Sequence, residues 1–104
     1  MVWQLELTYW RVYYDLTKLK NRNEETINNV KNKLLGMKGK IEHLKDLSVG
    51  VDFTHTQISY DIAMVAQFNS KEDFNAYLAH PAHLEVAKYI FGVQEKVVTV
   101  NYEI

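Results

Sequence analysis

The residues with the most chemical content form one segment, Tyr77-Leu78-Ala79-His80-Pro81-Ala82-His83. Histidine is scarce, four in all, and two of the four flank the single proline. Pro81 cannot extend a helix that precedes it, but its fixed φ suits the first position of a new one. His80 is then expected on the N-cap side of that helix, with His83 in its first turn. An imidazole so placed can stay neutral and act as a base or as a hydrogen-bond donor. The plainer alternative is that both histidines only cap or fill a helix junction. Their spacing could also bring both to one metal ion, but a kink at Pro81 separates their directions. No third ligand lies at useful spacing, since His43 and His55 stand in polar surroundings. A structural zinc would want four ligands, so no metal is expected.

Other chemistries find little support. The chain contains no cysteine, which excludes a thiol nucleophile, an iron–sulfur cluster and a disulfide framework. Ser48, Ser59 and Ser70 lie in no nucleophile elbow. Gly36, Gly39, Gly50 and Gly92 form no phosphate loop. Nothing prefers haem on His83 over an empty pocket, so no cofactor is expected. Twelve basic against 13 acidic residues, net −1, argue against nucleic acid as a partner. Lys31, Lys33, Lys38 and Lys40 are interspersed with Asn and Gly and read as a solvated face. No apolar run approaches the ~20 residues of a bilayer span, and no signal-peptide pattern opens the chain. The 104 residues allow one domain, spanning 1–104, expected in the cytoplasm and away from membranes.

The elements that must position the histidines follow from periodicity. Trp3, Leu5, Leu7 and Tyr9 alternate with polar residues; from Trp10 the parity reverses to Trp10, Val12, Tyr14 and Leu16. This suggests a first strand over 2–16 with a bulge near Tyr9–Trp10. Asn23 is a reasonable N-cap, with Glu24 and Glu25 in the favourable first turn. Ile27, Val30, Leu34, Met37, Ile41 and Leu44 then recur at helical spacing, and Gly36 and Gly39 end the regular helix near Met37 or Lys38. Leu47–Phe53 and Tyr60–Phe68 alternate as strands. Ser70 with Asp73 has capping-box spacing before a helix over 71–79. Leu84, Ala87 and Phe91 give the helix after Pro81 a face, and Gly92 is a plausible C-cap. Val97–Ile104 is the last strand.

The order is βαββαβ, an α+β, ferredoxin-like arrangement. It predicts a four-stranded antiparallel sheet with helices on one face. Both parities of the third strand are apolar, Ile62 and Met64 on one, Ala63 and Val65 on the other. A sheet apolar on both faces but covered on one implies a partner, most economically a second copy through the sheet faces. Aromatics make up 12% of the chain. They either fill a half-wet sheet and dimer interface, or Tyr13, Tyr60 and Tyr77 line a ligand pocket.

Gly50 after the second strand, the Phe68–Ser70 passage, the Tyr77–His83 segment and the closing Val97-Val98-Thr99-Val100-Asn101-Tyr102 strand together resemble the stress-responsive dimeric α/β barrel (Dabb) family. The resemblance covers about residues 21–104 and is most specific in His80-Pro81-Ala82-His83. It implies a ferredoxin-like protomer that dimerises through its sheet faces into a barrel and encloses an apolar cavity between sheet and helices. Through olivetolic acid cyclase, a plant member that closes a polyketide chain by aldol condensation, it implies His83 as general base and Tyr77 as its assistant. The first strand departs from the family. Lys18-Leu19-Lys20 resembles the family's Lys-x-Lys end, but the strand-one His position falls on Tyr13, and the inward positions after it on Asp15 and Thr17. Aligned from Met1 instead, the His position falls on Gln4. Either way that His is absent, and residues 1–20 form an atypical first-strand region.

Two functions follow as expectations. One is binding of a small apolar or aromatic ligand between sheet and helices, in a pocket of Val30, Leu34, Tyr60, Ile62, Met64 and His80. The alternative is a polyketide cyclase-like enzyme using His83 as base with Tyr77 beside it. The missing strand-one His favours binding.

Overall fold

Strand β1 (Arg11–Leu19) lies inside the sheet, paired antiparallel with β3 (Ile62–Phe68) on one side and β4 (Gln94–Glu103) on the other. Strand β2 (Asp46–Val51) completes a four-stranded sheet in the order β2-β3-β1-β4. The helices are α1 (Glu24–Leu35), α2 (Lys71–Ala79) and α3 (Pro81–Val93). The element order is βαββαβ with the second helix broken at Pro81, and the sheet is fully antiparallel, as the periodicity predicts. This computed structural model describes residues 11–103. The expected strand over 2–10, the bulge near Tyr9–Trp10 and residue Ile104 lie outside the described residues.

Local chemistry sets the helix starts. The Asn23 side chain accepts from the Thr26 amide at 2.8 Å, and Ser70 Oγ accepts from the Asp73 amide at 3.1 Å. Each satisfies a donor that the first helical turn leaves open. Helix α1 stops at Leu35, with Gly36 as its cap, slightly earlier than the apolar spacing suggests. Met37 and Ile41 are nonetheless buried, because the turns after α1 fold them back into the core. Gly92 does not end α3. The helix continues to Val93, and β4 starts at once at Gln94, which pairs with Leu19. The Lys20 amide bonds the Val93 carbonyl at 3.0 Å across that junction.

Side-chain alternation assigns the sheet faces. Tyr13, Asp15 and Thr17 stand opposite Ala66, Met64 and Ile62 of β3. These β3 residues are buried in the core with Leu19, Leu47 and α1 residues Ile27, Val30 and Leu34. The helix-covered face of β1 therefore carries Tyr13, Asp15, Thr17 and Leu19. The more apolar set, Val12, Tyr14 and Leu16, lies on the helix-free face, opposite Tyr102, Val100 and Val98 of β4. Tyr13, Asp15 and Thr17 face a cavity that α3 residues wall on the other side.

Asp61 anchors the far end of β1. Its carboxylate accepts from the Leu19 amide at 2.7 Å and holds Arg22 Nε at 2.7 Å, an ion-pair contact rather than an aligned hydrogen bond. Arg22 also donates to the Ser59 carbonyl. Asp61 is 1% exposed, so this pairing is what makes its burial tolerable.

Candidate functional site

Helix α3 buries none of its residues completely. Its Val86, Ala87, Ile90 and Phe91 instead form one wall of a cavity of about 260 Å³. Leu34, Met37 and Met64 supply the apolar floor, and Tyr13, Asp15, Thr17, Tyr77, His83 and Gln94 bring the polar atoms. The cavity exists because the break at Pro81 sends α3 off along a new direction, while α2 seats Tyr77 in the core.

Tyr77 is 1% exposed and sits within a run of rings. Its centroid lies 5.0 Å from that of Phe68 and 4.5 Å from that of His83. Phe74 packs between Tyr13 (5.6 Å) and Phe68 (5.3 Å). Edge and offset contacts of this kind suit the ring quadrupoles. Burial raises the Tyr77 phenol well above its usual range, and the charges of Tyr13 and Asp15 add to that. Tyr77 is thus a hydrogen-bond donor at neutral pH, never a phenolate.

His83 Nδ1 lies 3.0 Å from the Leu78 carbonyl oxygen. A carbonyl only accepts, so Nδ1 carries the proton and Nε2 keeps its lone pair. Burial lowers the His83 pKa, against a smaller opposing effect of the Leu78 bond. The neutral ring with a free Nε2 is the form a proton acceptor requires.

The strand side of the cavity is polar. Thr17 Oγ1 donates to Asp15 Oδ1 at 3.1 Å, and the Tyr13 hydroxyl makes a longer 3.4 Å approach to Oδ2. Burial raises the Asp15 pKa, and these hydroxyls partly offset it. The Tyr13 phenol is pushed up to about 12, first by burial and then by Asp15.

The structure brings Leu34, Met64, Tyr77 and His83 together at this cavity. Val30 and Ile62 are core residues, 0% and 2% exposed, with no side on the cavity. Tyr60 lies apart, in a shallow groove with Leu16, Phe53 and Ile58. His80 caps α3, its Nδ1 accepting from the Ala82 amide at 3.0 Å. His80 on the cap side and His83 in the first turn of α3 are where Pro81 predicts them; that this first turn also walls a cavity follows only from how α3 packs. In the sequence, Asp15 and Thr17 stand out only as inward strand positions that the family resemblance implies. The signal for them was a polar residue at alternate positions of an otherwise apolar strand. Among the described residues, no group of three or more His, Cys, Asp or Glu comes together to hold a metal. No helix among them is long and apolar enough to cross a membrane.

The family model described as "Stress responsive A/B Barrel Domain" matches residues 16–104. Over 65 residues the chain is 34% identical to the stress-response A/B barrel domain-containing protein HS1 of Arabidopsis thaliana, a match spanning 61% of this chain and 60% of that protein. Among solved structures, a dimeric ferredoxin-like protein from Bacteroides fragilis superposes with a TM-score of 0.83 at 21% identity, covering 94% of this chain and 99% of that one. A hydroxynitrile lyase from Passiflora edulis superposes with a TM-score of 0.82 at 22% identity, covering 93% and 94%. At these identities the likenesses to solved structures speak for the fold.

Proposed function

The chain belongs to the stress-responsive A/B barrel domain family, and on that premise we propose that it binds a small apolar or aromatic molecule in the cavity between sheet and α3. The observation that carries this is the cavity itself: about 260 Å³, apolar along α1 and α3, with hydroxyls, a carboxylate and an imidazole gathered on the remaining walls. Ligand sites are commonly built this way, an apolar body with a few polar groups that fix orientation. The volume falls below the roughly 300–1,000 Å³ of drug-sized sites, so the ligand is about one ring with a short chain. Mass spectrometry of small molecules that co-purify with the protein tests it. A recurrent apolar or aromatic compound, lost when Met64→Trp fills the cavity, is expected. A clean wild type that also takes up no single-ring aromatic added in solution overturns the reading.

The protein acts as a homodimer joined through its sheet faces. The support is the helix-free face, where Val98, Val100 and Tyr102 are 41%, 60% and 43% exposed beside the half-buried Tyr14 and Leu16. Apolar surface of this extent on one face suits an interface.

A second reading is favoured by one observation, the Nδ1–H tautomer of His83 imposed by Leu78. In this reading the protein is a polyketide cyclase-like enzyme. Nε2 takes a proton from a carbon next to a carbonyl. The Tyr77 hydroxyl donates to the carbonyl oxygen as it gains negative charge; the resulting enolate carbon attacks a second carbonyl of the same chain, whose oxygen takes the proton back from Nε2. Base catalysis of this kind contributes roughly 10²–10⁴ in rate. His83→Ala assayed with poly-β-keto substrates decides: unchanged cyclisation, or none in the wild type, removes this reading and leaves binding intact.

A further inference from the structure

Asp15 supplies the carboxylate of the cavity. It lies mid-strand in β1, flanked in the sheet by Met64 and Thr99. Its only hydrogen-bond partners among the described residues are neutral hydroxyls, Thr17 at 3.1 Å and Tyr13 at a weak 3.4 Å. Among the described residues, no lysine or arginine lines the cavity. The ion pairs among the described residues join Arg11, Lys18, Arg22, Lys38 and Lys71 to other carboxylates, none to Asp15. The titratable groups sharing the cavity are Tyr13 on the same strand, Tyr77 on α2 and His83 on α3, and burial favours the neutral form of all three.

A half-buried carboxylate without a countercharge is costly. An ionised carboxylate has about four acceptor sites, and two hydroxyls do not fill them. We infer that Asp15 makes the cavity selective for ligands that carry a protonated amine on an apolar or aromatic body, the ligand supplying the missing cation. The inference rests on the ligand-binding reading and names the ligand class. Tyr13, Tyr77 and Phe91 line the same cavity, and aromatic faces add attraction for a cation. The carboxylate equally disfavours an anionic ligand, since two like charges at low dielectric repel.

Three single-ring probes test it by calorimetric titration of the full chain: 2-phenylethylamine, 2-phenylethanol and phenylacetate. At neutral pH these present a cation, a neutral hydroxyl and an anion on one scaffold. The wild type is expected to bind the amine about tenfold or more tightly than the alcohol, and phenylacetate weakest, in line with a charge-assisted hydrogen bond. Asp15→Asn, close to isosteric, should bring amine and alcohol within about threefold of each other. If the wild type binds the alcohol as well as the amine, the inference fails while the binding reading stands. An amine preference that survives in Asp15→Asn places the amine elsewhere and also overturns it. If none of the three probes binds, the inference falls, and the co-purification experiment alone decides the binding reading. The wild-type ranking needs no variant, so a misfolded Asp15→Asn would leave the test intact.

Discussion

His83 Nδ1 and the Leu78 carbonyl oxygen stand 3.0 Å apart across the break between α2 and α3. Leu78 is in the last turn of α2, where carbonyls lack an intrahelical partner. His83 is in the first turn of α3, and its ring reaches back to supply one. One bond therefore serves the helix end and selects the imidazole tautomer.

The first prediction concerns that tautomer and pH. Nitrogen NMR of the histidine ring should show His83 protonated on Nδ1 and neutral at pH 7. Its folded pKa lies below the usual 6.5, mainly through burial. The unfolded chain then binds the proton more readily, so the contribution of His83 to stability is complete above pH 6.5. It is lost as pH falls through the folded value. Thermal melts from pH 7.5 to pH 5 should fall more steeply for wild type than for His83→Gln. Parallel curves would contradict the prediction.

Asp15 should behave in the opposite sense. Burial raises its folded pKa, so the ionised carboxylate costs stability at neutral pH, and its favourable contribution belongs below the unfolded value of 3.8. Asp15→Asn should accordingly melt higher at pH 7, by roughly 4–8 °C for each kcal/mol gained in a chain of this size. Such a gain in stability would match a residue retained for binding. An unchanged or lower melting point would show that the hydroxyls of Tyr13 and Thr17 already satisfy the charge.

Tyr77 separates packing from chemistry. Tyr77→Ala removes a ring from a buried aromatic run and should cost about 3–5 kcal/mol. Tyr77→Phe keeps the ring and should stay within about 1 kcal/mol of wild type by denaturant titration. If the protein only binds, Tyr77→Phe should alter the affinity for 2-phenylethanol by no more than about threefold. If it cyclises polyketides, the same variant should lose on the order of 10²-fold in turnover, as loss of an oxyanion donor does.

The helix-free face predicts an oligomer. Wild type should sediment as a dimer at micromolar concentration, and Val100→Glu, on a residue 60% exposed in the protomer, should sediment as a monomer. A wild type that runs as a monomer would leave Val98, Val100 and Tyr102 without a covering partner.

The Asp61–Arg22 pair gives a stability test remote from the cavity. Arg22→Ala leaves a carboxylate that is 1% exposed with, among the described residues, only the Leu19 amide. The expected loss is about 3 kcal/mol, at the lower end for a broken buried pair because Arg22 itself is partly exposed. Chemical denaturation of the variant would measure it.

Much of the fold was legible in the chain because its signals are local. Asn23, Ser70 and Pro81 mark helix starts through bonds that reach no further than one turn. Alternation in Ile62–Phe68 and helical spacing from Ile27 to Leu34 report burial through the geometry of the elements themselves. The His80-Pro81-Ala82-His83 segment announced a junction and a candidate site. Which sheet face of β1 turns inward was decided only in three dimensions. The more apolar set, Val12, Tyr14 and Leu16, went to the helix-free face, and Asp15 and Thr17 went to the cavity. Alternation shows that two faces differ, but it carries no information about which one a helix will cover, and that depends on pairing with β3 and on the path of α3. The same holds for the histidines. Pro81 by itself assigned His80 to the cap and His83 to the first turn of α3; only the packing of α3 made that turn the wall of a cavity. A cavity is space between elements distant in sequence, so its volume and its uncompensated carboxylate belong to the tertiary structure alone.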